Sequence, residues 1–342
     1  MKSEVAVVIP FKGDLDYLIE AVASVRASSF QHFRILVFDD NQHSQESLDF
    51  LSNDEYFPTG GIGLPGVIEY SKNLISEKYV TILAGDDLMT CSRLQLQLDA
   101  IRRKNSEICL SRMRKISAKH SNIQMLTGNP KIETFSKLWL LLGAYGADGT
   151  ILMTNEFYQK KYVLDPIDSY SDWVLALTNY PTKIAYVPEE LVFYRQHEGQ
   201  TTRKIRNDFL ESGVYDAWRK VYENFFKSIP PIESFLIISA PWFRTKIKSK
   251  DIVQSKLFMR QILDGFRSEK FTSSEISSLE SMIIRRYIFR ANIQNMPSIL
   301  SVLSQLKIRY VYIKLLIESI NVARVILLQR DIRPRFVKLD KK

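Results

Sequence analysis

The first hundred residues alternate short runs of β-branched side chains with stretches whose apolar positions recur every three to four residues, the pattern of a parallel sheet wrapped by helices. Val5 to Pro10 (VAVVIP) carries no charge and four of its six residues are β-branched, so it reads as a buried strand that Pro10 ends. From Leu15, the residues Leu15, Leu18, Ile19, Val22 and Val25 follow helical spacing, and Asp14 is placed to cap the free amides at the start. A second strand, Phe33 to Phe38, runs into Asp39, Asp40 and Asn41, residue types that favour turns. After a loop containing Thr59, Gly60, Gly61 and Gly63, a helical stretch over Gly66 to Ser76 leads to a strand at Tyr79 to Ala84, which ends in Gly85, Asp86 and Asp87. A helical period is expected from Leu88, with Leu94, Leu96, Leu98 and Ile101 on its apolar side.

From residue 206 onward helical stretches dominate, Gly becomes rare and basic residues are frequent. The chain therefore divides into an α/β domain over 1–205 and a basic, mostly helical C-terminal region over 206–342. The apolar segment Tyr310 to Leu328 is interrupted by Lys314, Glu318 and Arg324 and falls short of a transmembrane span.

Composition and charge sharpen this picture. With 342 residues, 45% hydrophobic and 25% charged, the chain has the balance of a folded soluble protein. Cys91 and Cys109 match no zinc ribbon, CxxC pair or disulfide framework, and the short apolar run at the N-terminus, followed by Lys12, Asp14 and Asp16, does not read as a signal peptide. A cytoplasmic location is the expectation. The net charge of +9 conceals an asymmetry, −5 over residues 1–200 and +14 over residues 201–342. The second part should be drawn to phosphates, whether of nucleic acid or of an anionic membrane leaflet.

The chemistry is carried by carboxylates. In open α/β sheets ligands bind outside the carboxyl ends of the strands, so Asp39, Asp40, Asp86 and Asp87 should converge on one acidic crevice. Adjacent carboxylates suit Mn²⁺ or Mg²⁺, hard cations that share their coordination with substrate phosphates. Asp172, beside Trp173 and ahead of an apolar helical stretch, is either a helix cap or a general base, with Asp165 and Asp168 as rivals. His197 could join a transition metal, and Arg195 could give a diphosphate bidentate contacts.

Five segments, in order and spacing, resemble the family 2 glycosyltransferases of the GT-A fold over residues 4 to 205: VAVVIPF at the start, VFDDN at Val37 to Asn41, ILAGDD at Ile82 to Asp87, SDW at Ser171 to Trp173, and KIAYVPEELVFYRQH at Lys183 to His197. The resemblance implies that Pro10 and Phe11 flank the nucleotide, that Asp39 meets the base, that Asp86 and Asp87 supply ribose and metal contacts, and that Asp172 is the catalytic base. Pro10, Phe11, Asp39, Asp40, Asp86 and Arg195 are thus the expected nucleotide-sugar contacts, and Asp86, Asp87 and His197 the expected metal contacts. The family often has an acidic residue where Ala84 stands, Arg-Asn where Ile68-Glu69 stands, and an acidic pair where Ser171-Asp172 stands.

The activity so implied is metal-dependent, inverting transfer of a sugar from a nucleoside diphosphate, with uridine the commonest base. The acceptor would be a hydroxyl, on a glycan or lipid-linked glycan of surface polysaccharide assembly, with the basic C-terminal region held against an anionic inner leaflet. A non-catalytic sugar-nucleotide-binding scaffold shares this fold. A polymerase is disfavoured by the helical period expected after Asp87 and by the absence of an aromatic and basic RNA-binding signature, so nucleic acid is not an expected partner. A dinucleotide oxidoreductase is disfavoured because the first turn lacks GxGxxG.

Overall fold

The strand read at the N-terminus runs one residue further than its proline. In the computed structural model β1 spans Val5–Phe11, and Pro10 and Phe11 stand in parallel register with Phe38 and Asp39 of β2 (Phe33–Asp39). Proline has no N–H to give, but at the penultimate position it still offers its carbonyl, which accepts from the Gly85 N–H at 3.0 Å. The structure describes residues 3–41, 50–51, 55–117, 135–143, 148–164, 171–180, 183–197, 214–228, 232–236, 249–269 and 271–290. Asp165, Asp168, the 205/206 boundary and the segment Tyr310 to Leu328 lie outside them.

Helix α1 (Leu15–Arg26) begins at the expected cap, with the Asp14 carboxylate accepting from the Asp16 N–H at 3.0 Å. Its Leu18, Ala21, Val22 and Val25 are fully buried, and each of the larger three contributes about 1.5–3 kcal/mol by leaving water. β3 (Glu55–Pro58) adds a parallel strand beside β2 that the sequence pattern does not announce, being four residues long and ending in proline. α2 (Gly63–Lys72) starts three residues earlier than its apolar period, and β4 (Tyr79–Ile82) lies parallel to β1 on the other side from β2.

The residues after Asp87 do not enter a helix at once. Leu88–Met89 form a short strand, β5, antiparallel to Val192 and Phe193, and helix α3 begins only at Arg93 and ends at Lys104. The expectation of a helix from Leu88 is corrected accordingly: two apolar residues pair with a strand whose partners come from a hundred residues downstream, which local periodicity cannot register.

β6 (Ile108–Ser117), β7 (Leu152–Thr154) and β8 (Ala185–Gln196) complete an eight-stranded mixed sheet in the order β3-β2-β1-β4-β7-β6-β8-β5. β7 is antiparallel to both β4 and β6, whereas β6 and β8 are parallel. Their register shifts around Arg112, where Pro188 and Glu189 fall outside the pairing. Such irregularities bend a strand and re-aim the side chains beyond the bend, here Tyr194, Arg195 and Gln196. Helix α4 (Asn155–Lys161) follows β7, and α5 (Ser171–Asn179) precedes β8.

The C-terminal region is helical where described: α6 (Val214–Phe226), α7 (Ser249–Ser268) and α8 (Ser273–Arg290). It shares a core with the α/β part. The 3₁₀ segment Lys137–Leu142 lies between them, accepting from the indole N–H of Trp173 at the Leu140 carbonyl (3.0 Å) and from that of Trp218 at Leu141 (2.9 Å). Trp139 packs edge-on against Phe266, and Phe258, Met259 and Ile262 join the same buried cluster. No helix among the described residues is long and apolar enough to cross a membrane.

Candidate functional site

Three chain segments end side by side at the carboxyl edge of the sheet. β1 stops at Phe11, β2 at Asp39, and the chain beyond β4 stays hydrogen-bonded to β1 as far as Gly85. The Asp40 N–H donates to the Phe11 carbonyl at 2.9 Å. A Cβ at Gly85 would stand 2.7 Å from Phe11 Cδ2, so glycine there is what lets the acidic turn lie against the Phe11 ring. Pro10, Phe11, Asp39, Asp40, Asp86 and Asp87 are therefore brought to one edge, as the strand pattern implies.

The first acidic pair is bonded into the protein. Asp39 is fully buried; its Oδ1 accepts from the Asn41 N–H at 2.8 Å and its Oδ2 from the Tyr56 hydroxyl at 2.9 Å. Burial and then this carboxylate push the Tyr56 hydroxyl up to about 12, so Tyr56 remains a donor. Asp40 organises the glycine loop before α2. It accepts from Thr59 Oγ1 (2.8 Å), the Gly61 N–H (2.9 Å) and the Gly63 N–H (3.1 Å), with Lys12 Nζ at 3.8 Å. Gly60, Gly61 and Gly63 have φ of 69°, 90° and 72°, the left-handed region that side chains disfavour. The carboxylate and the glycines together fix this turn.

The second pair is different. Asp87 Oδ1 accepts from the Arg195 backbone N–H at 2.9 Å, which ties the acidic turn to β8. Asp87 Oδ2 has no bonded partner among the described residues and lies so that a Cβ at Gly149 would be 3.7 Å away. Burial, then the neighbouring charge of Asp86, raise the Asp87 carboxyl from 3.8 to about 8. Asp86 is more open, and its Oδ2 lies 2.9 Å from His197 Nε2. These are oxygen and imidazole donors facing one another, beside a carboxylate whose ionisation a cation would favour. Oxygen ligands of this kind are what hard divalent cations take. Among the described residues no three such side chains form a preassembled metal cluster.

Arg195 is enclosed. Its side chain is fully buried; Nε donates to the Asp86 carbonyl at 2.8 Å, Nη2 donates to Glu20, and Tyr17 lies beneath the guanidinium. Enclosed in this way, the guanidinium braces the acidic turn against α1. Asp172 opens α5, and its Oδ1 accepts from the Trp173 N–H at 2.7 Å. Among the described residues no hydrogen bond joins it to the Asp86, Asp87 and His197 group.

Tyr17, Glu20, Tyr56 and Arg93 take part without having been singled out from the sequence. Arg93 is fully buried, donating to Thr81 Oγ1 (2.7 Å), the Ile82 carbonyl (3.3 Å) and Gln97 Oε1 (3.1 Å). Burial pushes its guanidinium down to about 10, against the pull of Asp87. The signal lay in spacing: Arg93 and Gln97 share the face of Leu94, Leu98 and Ile101, and polar residues on an apolar stripe mark a buried network.

Residues 6–160 match the family model described as Glycosyl transferase family 2. Among solved structures the chain is similar to S. aureus TarS 1–349 in complex with UDP-GlcNAc, at 13% identity and a TM-score of 0.52, covering 89% of this chain and 91% of that one. It is also similar to a longer S. aureus TarS structure, at 13% identity and a TM-score of 0.50, of which it covers 55%. No curated protein gave a match. The family match thus covers the stretch that carries β1 to β7, and the fold is the GT-A type that the resemblance implied.

Proposed function

We propose that the chain transfers a glycosyl unit from a nucleoside diphosphate sugar to an acceptor hydroxyl, with inversion at the anomeric carbon. The observation that carries the reading is the sheet edge at which β1, β2 and β4, all within the family-matched stretch, end beside Asp86, Asp87 and His197. Open sheets of this kind take their ligands at that edge. Pro10, Phe11 and Asp39 form the nucleotide side, and Asp40 acts by shaping the glycine loop. A uridine diphosphate sugar is the first donor to test, because the TarS relative is described in complex with UDP-GlcNAc.

Asp86, Asp87 through Oδ2, and His197 through Nε2 would hold Mn²⁺ or Mg²⁺. When bound, the cation offsets the negative charge that grows on the departing diphosphate. Asp172 is the base of this reading: its carboxylate, oriented by the Trp173 N–H, takes the proton from the acceptor hydroxyl as that oxygen attacks. The basic stretch over residues 201–342, net +14, favours an acceptor presented at an anionic membrane surface, such as a lipid-linked glycan.

Calorimetric titration with UDP, GDP and dTDP, each with and without Mn²⁺, tests the reading. The expected result is Mn²⁺-dependent binding of one nucleotide, abolished by Asp86→Ala and retained by Asp172→Asn. The latter should lose roughly 10²–10⁴-fold in kcat, the usual worth of a general base. Failure of every nucleotide to bind would overturn the reading, and a fully active Asp172→Asn would remove the base from it.

A further inference from the structure

Helix α1 carries two groups that belong to none of the strand-end motifs. Tyr17 and Glu20 are three residues apart and so lie on one side of the helix, next to the stripe of Leu18, Ala21, Val22 and Val25 that faces the core. Tyr17 belongs to neither of the two hydrophobic clusters. Its ring instead lies between two charged or titratable groups: Arg195 Cζ is 4.5 Å from the ring centroid, and the His197 imidazole is 5.2 Å away, tilted by 51°. Glu20 accepts from Arg195 Nη2.

Arg195 passes these contacts on. Its Nε holds the Asp86 carbonyl and its backbone N–H holds Asp87 Oδ1. One side of α1 thus reaches every group assigned to the cation, and none of those contacts is needed to anchor the helix, which four fully buried side chains already do. A buried guanidinium is costly unless paired and bonded, and here all of its named partners belong to the acidic turn or to α1. Groups one shell out from a metal ligand fix its orientation, and an aromatic face against an imidazole limits how that ring turns.

We propose that Tyr17 and Glu20 are positioning residues for the donor site: through Arg195 and His197 they hold the ligand-bearing groups in the arrangement that receives a divalent cation with its nucleoside diphosphate. The inference rests on the glycosyl-transfer reading of the site and deepens it. A purely structural role would lower thermal stability without changing metal dependence. The positioning role changes metal dependence in the folded chain, whatever the change in stability, and tolerates an aromatic replacement at residue 17.

The test uses the full chain, Mn²⁺ and UDP. Calorimetry gives UDP affinity with and without Mn²⁺, pulsed electron paramagnetic resonance of bound Mn²⁺ reports nitrogen coupling from His197, and thermal melting follows the fold. Tyr17→Leu and Glu20→Ala should weaken Mn²⁺-dependent UDP binding by roughly 10–100-fold and reduce the nitrogen coupling, with metal-free UDP affinity unchanged and Tyr17→Phe close to wild type. Wild-type Mn²⁺ dependence and coupling in both variants would overturn the proposal. If Glu20→Ala does not fold, Glu20→Gln is read in its place, and unchanged Mn²⁺ dependence there is equally fatal. Absence of UDP binding by the wild-type chain would instead overturn the donor-site reading itself, and this inference with it.

Discussion

Asp39-Asp40 and Asp86-Asp87 are the same dipeptide at the ends of the two segments that flank β1, yet their surroundings set them to different work. The first pair is bonded to protein donors: Asp39 to Asn41 and Tyr56, Asp40 to Thr59, Gly61 and Gly63. The second has one oxygen fixed by Arg195, one with no bonded protein partner among the described residues, and one against an imidazole that can leave it. A carboxylate that already satisfies backbone N–H groups shapes a loop, whereas one held by a single oxygen can bind something else with the other. Motif and position being equal, the difference lies in what the neighbouring chain donates.

The largest effect expected from this contrast is on catalysis. Asp86→Ala combined with Asp87→Ala should lower kcat/KM by at least about a hundredfold, beyond the roughly 10–100-fold that outer-shell changes around metals cost. A double variant with wild-type kinetics would erase the distinction between the pairs. Gly85→Ala should destabilise the fold by about 1–3 kcal/mol, because the added Cβ meets the Phe11 ring at 2.7 Å and must displace it; denaturant melts measure this.

Asp40→Ala belongs to the other side of the contrast. It leaves Thr59, Gly61 and Gly63 without their acceptor, and the expected loss is about 1–3 kcal/mol of stability in denaturant melts. Metal affinity should stay near wild type once the chain is folded. A metal affinity that falls as far as in Asp86→Ala would show that the first pair is also a ligand site.

A further effect concerns pH. Asp87 titrates near 8 in the folded chain against 3.8 ordinarily, so the folded state holds its proton more tightly than the unfolded state. The contribution is fully present below about pH 4, is lost as pH rises toward 8, and levels off above that. Asp87→Asn keeps an acceptor for the Arg195 N–H and removes the titration. Without divalent ions its thermal midpoint should therefore overtake that of wild type progressively between pH 5 and 8, and added Mn²⁺ should shrink the gap. A gap independent of pH would contradict the raised carboxyl.

Much of this was legible in the chain. VAVVIP, FRILVF and YVTILA give three central strands by uncharged or β-branched character, and the dipeptides after the last two give the crevice, since both facts are local in sequence. β3 and β5 were not legible, because strands of four and two residues take their identity from partners. The enclosure of Arg195 was hidden for a related reason: its partners Glu20 and Tyr17 stand on α1, at the far end of the domain's sequence, and nothing in FYRQH distinguishes an exposed arginine from an enclosed one. The saturation of Asp40 by Gly61 and Gly63 could be read only once the glycine loop was folded against it.

The most direct measurement is diffraction at the manganese absorption edge from crystals grown with UDP and Mn²⁺. A single anomalous peak contacting Asp86, Asp87 Oδ2 and His197 Nε2, with none at Asp39 or Asp40, is the predicted result. A peak at the first pair, or bound UDP with no peak at the second, would contradict the assignment of Asp86 and Asp87 as the working carboxylates.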